Sequence, residues 1–259
     1  MFLRKIFSSE NKLVWVFVDL VIVIVGVYCA FLIQEYSAQE KTKKEKLEII
    51  SAMKYELEFF RIIMPGRAWY SNNQVQHWEK LNSQGQYIDF SGWRFIEPQY
   101  QYQVLERVLN IQNGDLINFE LFQYSLRIYE QIRRIEHTER MITEVGFKYR
   151  SIPDPLNEKS SDFQLLNATN QDNFRRLIDA MKIRGEIQQL LAERSSDALT
   201  VINQALPFQV KKQIEEELIV QYIDNMVETE VEAVERVSLV FPDFSEEEIK
   251  VMYQQATQQ

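Results

Sequence analysis

The sequence is poor in residues that interrupt helices and in residues that bind metals or form disulfides. Its 259 residues include seven Gly, six Pro, two His and one Cys. Because all-β folds need many turns, scarce Gly and Pro favour long helices. The single cysteine excludes a disulfide or a cysteine-ligated metal site within one chain. The composition therefore predicts an all-α protein.

Motifs for catalysis and for phosphate binding are missing as well. The dispersed glycines form neither a GxGxxG pattern nor a P-loop, and there is no GxSxG elbow. His77 and His137 have no carboxylate or second histidine three or four residues beyond them, which is the spacing of helical metal ligands. We therefore predict no catalytic residue, no cofactor and no metal site.

Positive charge is scarce beyond the amino terminus. Residues 34–259 hold 26 Lys and Arg against 36 Asp and Glu. Wrapping nucleic acid requires a basic surface, so we predict no nucleic-acid partner. The hydrophobic fraction of 46% and the charged fraction of 26% are ordinary globular values. Most of the chain is thus able to bury a core.

One long hydrophobic run extends from Leu13 to Ile33. Asp19 is its single charged residue among 21 positions. At 1.5 Å per residue the run spans roughly 30 Å, the thickness of the hydrocarbon core of a bilayer. A cleaved signal peptide is the alternative, but its apolar stretch is about 7–15 residues and ends in small residues. We interpret residues 13–33 as an uncleaved transmembrane helix that follows a tail of residues 1–12.

The acidic residue of this run shares a helix face with two small residues. Gly26 and Ala30 follow Asp19 by seven and eleven positions, which places both within about 20° of it. A carboxylate in hydrocarbon costs on the order of 3 kcal/mol, and small residues four apart let helix backbones approach closely. We interpret Asp19, Gly26 and Ala30 as a helix-packing face. A monomeric anchor with Asp19 protonated or hydrated near the interface is the alternative.

Helical periodicity continues beyond the membrane run. Apolar residues recur at spacings of three and four and form one face, namely Leu47, Ile50, Met53, Leu57, Phe60 and Met64. Pro65-Gly66 predicts the end of this helix. We assign residues 34–66 to an amphipathic stalk helix and residues 67–259 to a soluble all-helical domain.

The soluble domain is predicted as a bundle of helices joined by two longer loops. The helices are expected at about 67–82, 100–111, 115–145, 171–205, 208–240 and 246–256, and the loops at 83–99 and 146–170. Ser245, followed three residues later by Glu248, predicts a capping box at the start of the last helix.

Several amino-terminal residues form a recognisable arrangement: Arg4, Lys5, Ser9-Glu10-Asn11-Lys12, Asp19, Gly26, Ala30, Gln34 and Tyr36, followed by KEKLEII and ELE. This arrangement resembles an uncharacterised family of bacterial, Bacteroidota-like single-pass membrane proteins, which usually have glutamate in place of Asp19 and tryptophan in place of Tyr36. The resemblance implies an inner-membrane protein with a periplasmic helical domain, and it supplies an architecture but no mechanism. The Lys and Arg counts on the two flanks are nearly balanced and give no orientation of their own.

Three functions stay open at this point. The first is a membrane-anchored interaction or scaffold subunit that contacts the lipid bilayer. It oligomerises, or pairs with another membrane protein, through its transmembrane helix. The second is an ion-coupled accessory subunit that uses Asp19, because single-pass stator subunits also carry an aspartate near the start of their membrane helix. The third is a membrane-tethered enzyme of an unrecognised all-α type.

Overall fold

The computed structural model describes residues 12–84, 95–110, 117–148 and 161–257. Within these ranges it contains no strand and seven helices: α1 (Lys12–Ser83), α2 (Gln103–Leu109), α3 (Phe119–Lys148), α4 (Ser161–Ala205), α5 (Phe208–Met226), α6 (Glu230–Val240) and α7 (Glu246–Thr257). The all-α prediction is confirmed. The chain divides into two compact units, Met1–Glu48 and Ile49–Gln259, so the second unit begins inside the segment predicted as a stalk.

Helix α1 does not end at Pro65-Gly66, and that prediction is wrong. The helix continues to Ser83 and includes the segment predicted as a separate helix at 67–82. A proline inside a helix removes one hydrogen bond and crowds the preceding turn, at a cost of about 3 kcal/mol. Pro65 and Gly66 are exposed, whereas Met64 and Ala68 are buried. Burial of apolar side chains on both sides of the proline offsets its penalty.

The first unit contains an apolar stretch of α1 that the chain itself does not bury. Near its amino terminus, α1 contains a strongly apolar stretch of which 0% is buried, and no other described helix is long and apolar enough to cross a membrane. Phe17, Ile22 and Ile33 are 65%, 62% and 70% exposed. A core helix of a soluble protein would bury such side chains. The described part of the chain therefore contains one candidate membrane-spanning helix.

The second unit is built on three long helices, namely the part of α1 beyond Ile49, α3 and α4. Helix α4 runs antiparallel to both others, as four contacts show. Three join side chains, Glu79–Lys182, Ser71–Gln188 and Glu139–Arg184, and in the fourth Arg194 Nη1 donates to the backbone carbonyl of Arg127. Buried residues recur every seven positions in each helix: Ile50, Leu57, Met64, Ser71 and Trp78; Leu121, Ile128, Ile135 and Ile142; Phe174, Met181, Gln188, Ser195 and Ile202. This repeat keeps one face of each helix turned inward, as in coiled coils.

Helices α5 to α7 complete the second unit. The helix predicted at 208–240 is interrupted, because α5 ends at Met226 and α6 begins at Glu230. The hydroxyl of Thr229 accepts the backbone N–H of Glu232 at 3.3 Å and caps α6. Threonine side chains that bond to nearby backbone groups compete with helix continuation, which explains the break.

The predicted loops are only partly described. Residues 85–94, 111–116 and 149–160 lie outside the described residues, so the loop predictions there stay predictions. Helix α4 begins at Ser161, ten residues earlier than predicted, which shortens the predicted loop from its carboxyl end.

The capping box predicted at α7 is confirmed. The backbone N–H of Glu248 donates to Ser245 Oγ at 3.4 Å, and the backbone N–H of Ser245 donates to Glu248 Oε2 at 2.9 Å. Lys212 Nζ also donates to Glu248 Oε1, at 2.7 Å. The bond from Lys212 and those from Ser245 lower the pKa of Glu248 to about 2. The first turn of α7 is therefore fixed both by its own capping box and by Lys212 of α5.

We expect Ser245→Ala to lower the free energy of unfolding by about 1 kcal/mol, since the amide of Glu248 loses its acceptor. Urea denaturation of the full chain measures this, and Thr257→Ala at the exposed end of α7 is the matched control. Because the pKa of Glu248 is lowered, its contribution to stability is present above its ordinary pKa and lost as the pH falls toward 2. Equal urea midpoints for Ser245→Ala and Thr257→Ala would contradict the role of Ser245 as the cap of α7.

Candidate functional site

The predicted packing face of the membrane helix lies on the exposed part of α1. Asp19, Gly26 and Ala30 are all exposed, and a Cβ added to Gly26 would meet no described atom within 4 Å. Because α1 is helical throughout this segment, its 100° spacing keeps the three residues on one side. We call these three residues the membrane face. All three residues of this face are exposed in the described part of the chain.

The apolar face predicted for the stalk has two environments. Ile50, Met53, Leu57, Phe60 and Met64 are each at most 4% exposed, and they belong to the core of the second unit. Leu47 lies in the first unit and is partly exposed. From Ile49 onward this segment is thus a core helix of the folded domain.

A buried ionic network joins the three long helices, and sequence reasoning did not identify it. Tyr100 Oη donates to Glu139 Oε1 at 2.6 Å, and Arg184 Nε donates to the same oxygen at 2.8 Å. Arg184 Nη1 also donates to Ser71 Oγ, at 2.7 Å. The Ser71 hydroxyl lies 3.1 Å from Gln188 Oε1. These five residues, which are at most 8% exposed, form what we call the central network.

Helices α1 and α4 approach each other closely beside the central network, at Gly185. A Cβ at Gly185 would lie 3.5 Å from the Cβ of Ser71 and 2.7 Å from the Asn72 side-chain oxygen. A larger residue at Gly185 would displace the Asn72 side chain. The glycine therefore lets α4 lie against α1 beside Arg184.

Burial dominates the electrostatics of the central network. It raises the pKa of Glu139, although the hydrogen bond from Tyr100 and the Arg184 guanidinium act in the opposite direction. Burial, together with the Glu139 carboxylate, also raises the pKa of Tyr100. The guanidinium of Arg67 lies 5.7 Å from the Tyr100 ring centre. At neutral pH Tyr100 thus acts as a hydrogen-bond donor and not as a base.

Two clefts in the second unit reach this network. The first cleft, about 480 Å³, is lined by Glu97, Pro98, Gln99, Tyr100, Tyr102, Gln103, Glu106, Arg133, Glu136, Glu139 and Arg140. The second cleft, about 470 Å³, is lined by Ile62, Ile63, Gly66, Arg67, Tyr70, Phe95, Ile96, Met181, Arg184 and Tyr222. The first is rich in carboxylates, whereas the second is apolar with two arginines. Among the described residues no group of three His, Cys, Asp or Glu side chains is placed to hold a metal ion.

A second buried ion cluster links α1 to α5. Lys54 Nζ, on a side chain that is 0% exposed, donates to Glu58 Oε1 and to Glu215 Oε1, each at 2.8 Å. Arg61 Nε donates to the other oxygen of Glu58 at 2.6 Å. Each buried charge of this cluster is paired, as burial requires.

Another buried carboxylate, that of Glu56 on α1, caps the amino terminus of α2. Glu56 accepts the backbone N–H of Val104 at 2.9 Å and of Leu105 at 3.2 Å, at the amino terminus of α2. Burial raises the pKa of Glu56, and the backbone hydrogen bonds oppose that rise. Glu56 replaces the side-chain cap that Tyr102 does not provide.

The residues that the structure describes form an all-α protein with one candidate membrane-spanning helix and a domain that contains buried ion pairs. Comparisons with protein-family profiles, with curated proteins and with solved structures give no match. The resemblance of the amino-terminal residues to Bacteroidota-like membrane proteins therefore stays a prediction.

Proposed function

We propose that this chain is a membrane-anchored interaction subunit whose transmembrane helix pairs through the membrane face. The observation that supports this most is the apolar segment of α1, none of which the chain buries. Exposed apolar side chains over the length of a hydrocarbon core are stable in lipid and costly in water. The occupant of the membrane face is a second copy of the chain, or another membrane protein with a matching face.

The chemistry of the membrane face suits pairing. Lipid tails are as apolar as the helix, so association in a bilayer relies on close packing and on hydrogen bonds between helices. Gly26 and Ala30 expose little side chain and permit close packing, while the Asp19 carboxyl has a hydrogen-bond partner available across the contact. Without such a partner, Asp19 would face hydrocarbon at an energetic cost.

The resemblance at the amino terminus supports a location. It implies a bacterial inner-membrane protein that crosses the membrane once and places its second unit in the periplasm. The second unit, with its clefts and its acidic composition, would then present a surface to periplasmic partners. Among the described residues of the second unit, no group of three His, Cys, Asp or Glu side chains is placed to hold a metal ion, and the proposal includes no catalytic step.

Substitution of both small residues tests the proposal. Gly26→Ile combined with Ala30→Ile is expected to weaken self-association about tenfold, because the added side chains separate the backbones. Analytical ultracentrifugation of the full chain in detergent measures the dimer dissociation constant. The control, Ile24→Leu with Tyr28→Leu, changes the opposite side of the same helix and is expected to leave that constant unchanged.

Two observations on the same samples test the anchor itself. The wild-type chain and both variants are expected to stay in the membrane pellet after alkaline carbonate extraction. Their intact masses are expected to include residues 13–33, whereas a cleaved signal peptide would remove them. A soluble chain would contradict the membrane anchor, and an unchanged dissociation constant in the double isoleucine variant would contradict pairing with a second copy through the membrane face.

A further inference from the structure

The second cleft carries positive charge on apolar walls. Among the described residues that line it, seven are apolar or aromatic, one is glycine, and the two charged ones are Arg67 and Arg184. Its volume of about 470 Å³ lies in the range of small-molecule sites. At the rim, Ile96 is 84% exposed and Tyr70 is 53% exposed, so apolar surface is available for a ligand to cover. This lining is complementary to a molecule with an apolar body and an anionic head.

Arg67 and Arg184 both act on one buried carboxylate, that of Glu139. Arg184 is paired with Glu139, whereas Arg67 has no carboxylate at ion-pair distance among the described residues. The Nη1 atom of Arg67 is buried and has no hydrogen-bond partner in the described part of the chain. Arg67, Arg184 and Glu139 together therefore have an excess positive charge. Arg67 lines the second cleft, so an anionic head bound there would offset this excess charge.

We propose that the second cleft binds a single-chain carboxylate, with its head on the Arg67 guanidinium and its hydrocarbon chain against Ile63, Met181 and Tyr222. A planar guanidinium matches a carboxylate with two parallel hydrogen bonds. A cationic head would be repelled by both arginines, and a neutral head would leave the excess charge in place. The inference does not depend on pairing of the membrane helices.

Photolabelling of the full chain in native membranes tests this site. The probe is a dodecanoate that carries a diazirine at the end of its chain, and the matched control is the corresponding alcohol. Labelled peptides are mapped by mass spectrometry, and residues 13–33 serve as the internal reference for contact with lipid. The carboxylate is expected to label the peptides of the second cleft, and the alcohol to label them about tenfold less relative to the reference.

Three variants separate the proposed site from general affinity for lipid. Arg67→Met is expected to reduce labelling of the cleft about tenfold, and Arg67→Lys, which keeps the charge but not the two parallel hydrogen bonds, is expected to fall between Arg67→Met and the wild type. Gly66→Trp is expected to block labelling, because Gly66 lines the second cleft and its added Cβ would meet no described atom within 4 Å. Arg140→Met, in the first cleft, is expected to change nothing.

Two results would overturn the assignment. One is labelling of the cleft by the alcohol as strongly as by the carboxylate. The other is wild-type labelling in both Arg67→Met and Gly66→Trp. If the cleft peptides are labelled but residues 13–33 are not, the result contradicts the membrane anchor and supports the cleft assignment.

Discussion

Replacing Lys54 with Met is expected to lower the free energy of unfolding by about 3–5 kcal/mol. The Lys54 side chain is 0% exposed and its ammonium bonds to Glu58 and Glu215 at 2.8 Å each. Without it, two carboxylates share a buried site, and only Glu58 retains a cation, Arg61. A loss of this size is a large fraction of the 5–15 kcal/mol that holds a typical domain together. Urea denaturation of the full chain, monitored by circular dichroism, measures this loss of free energy of unfolding.

The matched control for Lys54 is Lys182. Lys182 Nζ also lies 2.8 Å from a carboxylate, that of Glu79, but both side chains are almost half exposed, at 46% and 47%. Exposed pairs contribute about 0–1 kcal/mol, so Lys182→Met is expected to have little effect. Adding Glu215→Gln to Lys54→Met should recover part of the loss, because it removes one of the two facing charges. Equal losses in the two lysine variants would refute the role of burial.

Replacing Arg184 with Met is expected to produce a loss that depends on pH. Arg184 is 4% exposed and bonds to Glu139 and Ser71, so its removal leaves a buried carboxylate without its closest cation. We expect a loss of about 3–5 kcal/mol at neutral pH. The loss should shrink as the solution is acidified, because protonated Glu139 needs no cation.

The sign of this pH dependence follows from Glu139. Its pKa is raised in the folded protein by burial, so the folded state binds the proton more tightly than the unfolded state. Stability therefore falls as the pH rises from the unfolded pKa to the folded pKa, and Arg184→Met widens that interval. The double variant Arg184→Met with Glu139→Gln is expected to lose the pH dependence that Glu139 causes. A deficit that is the same at low and neutral pH would contradict this explanation.

Periodicity was sufficient to predict the helical class and the buried side of α1. Apolar residues at spacings of three and four identified five positions from Ile50 to Met64 that the domain core buries. The predicted end of the helix at Pro65 was wrong. The local penalty of a proline, about 3 kcal/mol, is smaller than the free energy gained by burying the apolar side chains around it. The proline itself is visible in the local sequence, whereas the burial of its neighbours depends on helices that are distant in the chain.

The ionic residues were missed for a different reason. Lys54, Glu139 and Arg184 occupy positions that the apolar period assigns to buried faces, which is a signal that sequence reasoning can use. Their partners, however, are far along the chain: 45 residues separate Glu139 from Arg184, and 161 separate Lys54 from Glu215. Only the packing of the helices brings such pairs together. The excess charge of Arg67 likewise becomes visible only with the fold.

Cysteine cross-linking in native membranes tests the pairing of the membrane helix most directly. In a Cys29→Ser background, which removes the chain's one cysteine, single cysteines replace Gly26 or Ala30 on the membrane face, or Ile24 or Tyr28 on the opposite side. Oxidation is expected to give disulfide-linked dimers for Gly26→Cys and Ala30→Cys, and few for Ile24→Cys and Tyr28→Cys. Dimers that form equally at all four positions, or mainly at Ile24 and Tyr28, would contradict a contact through Asp19, Gly26 and Ala30.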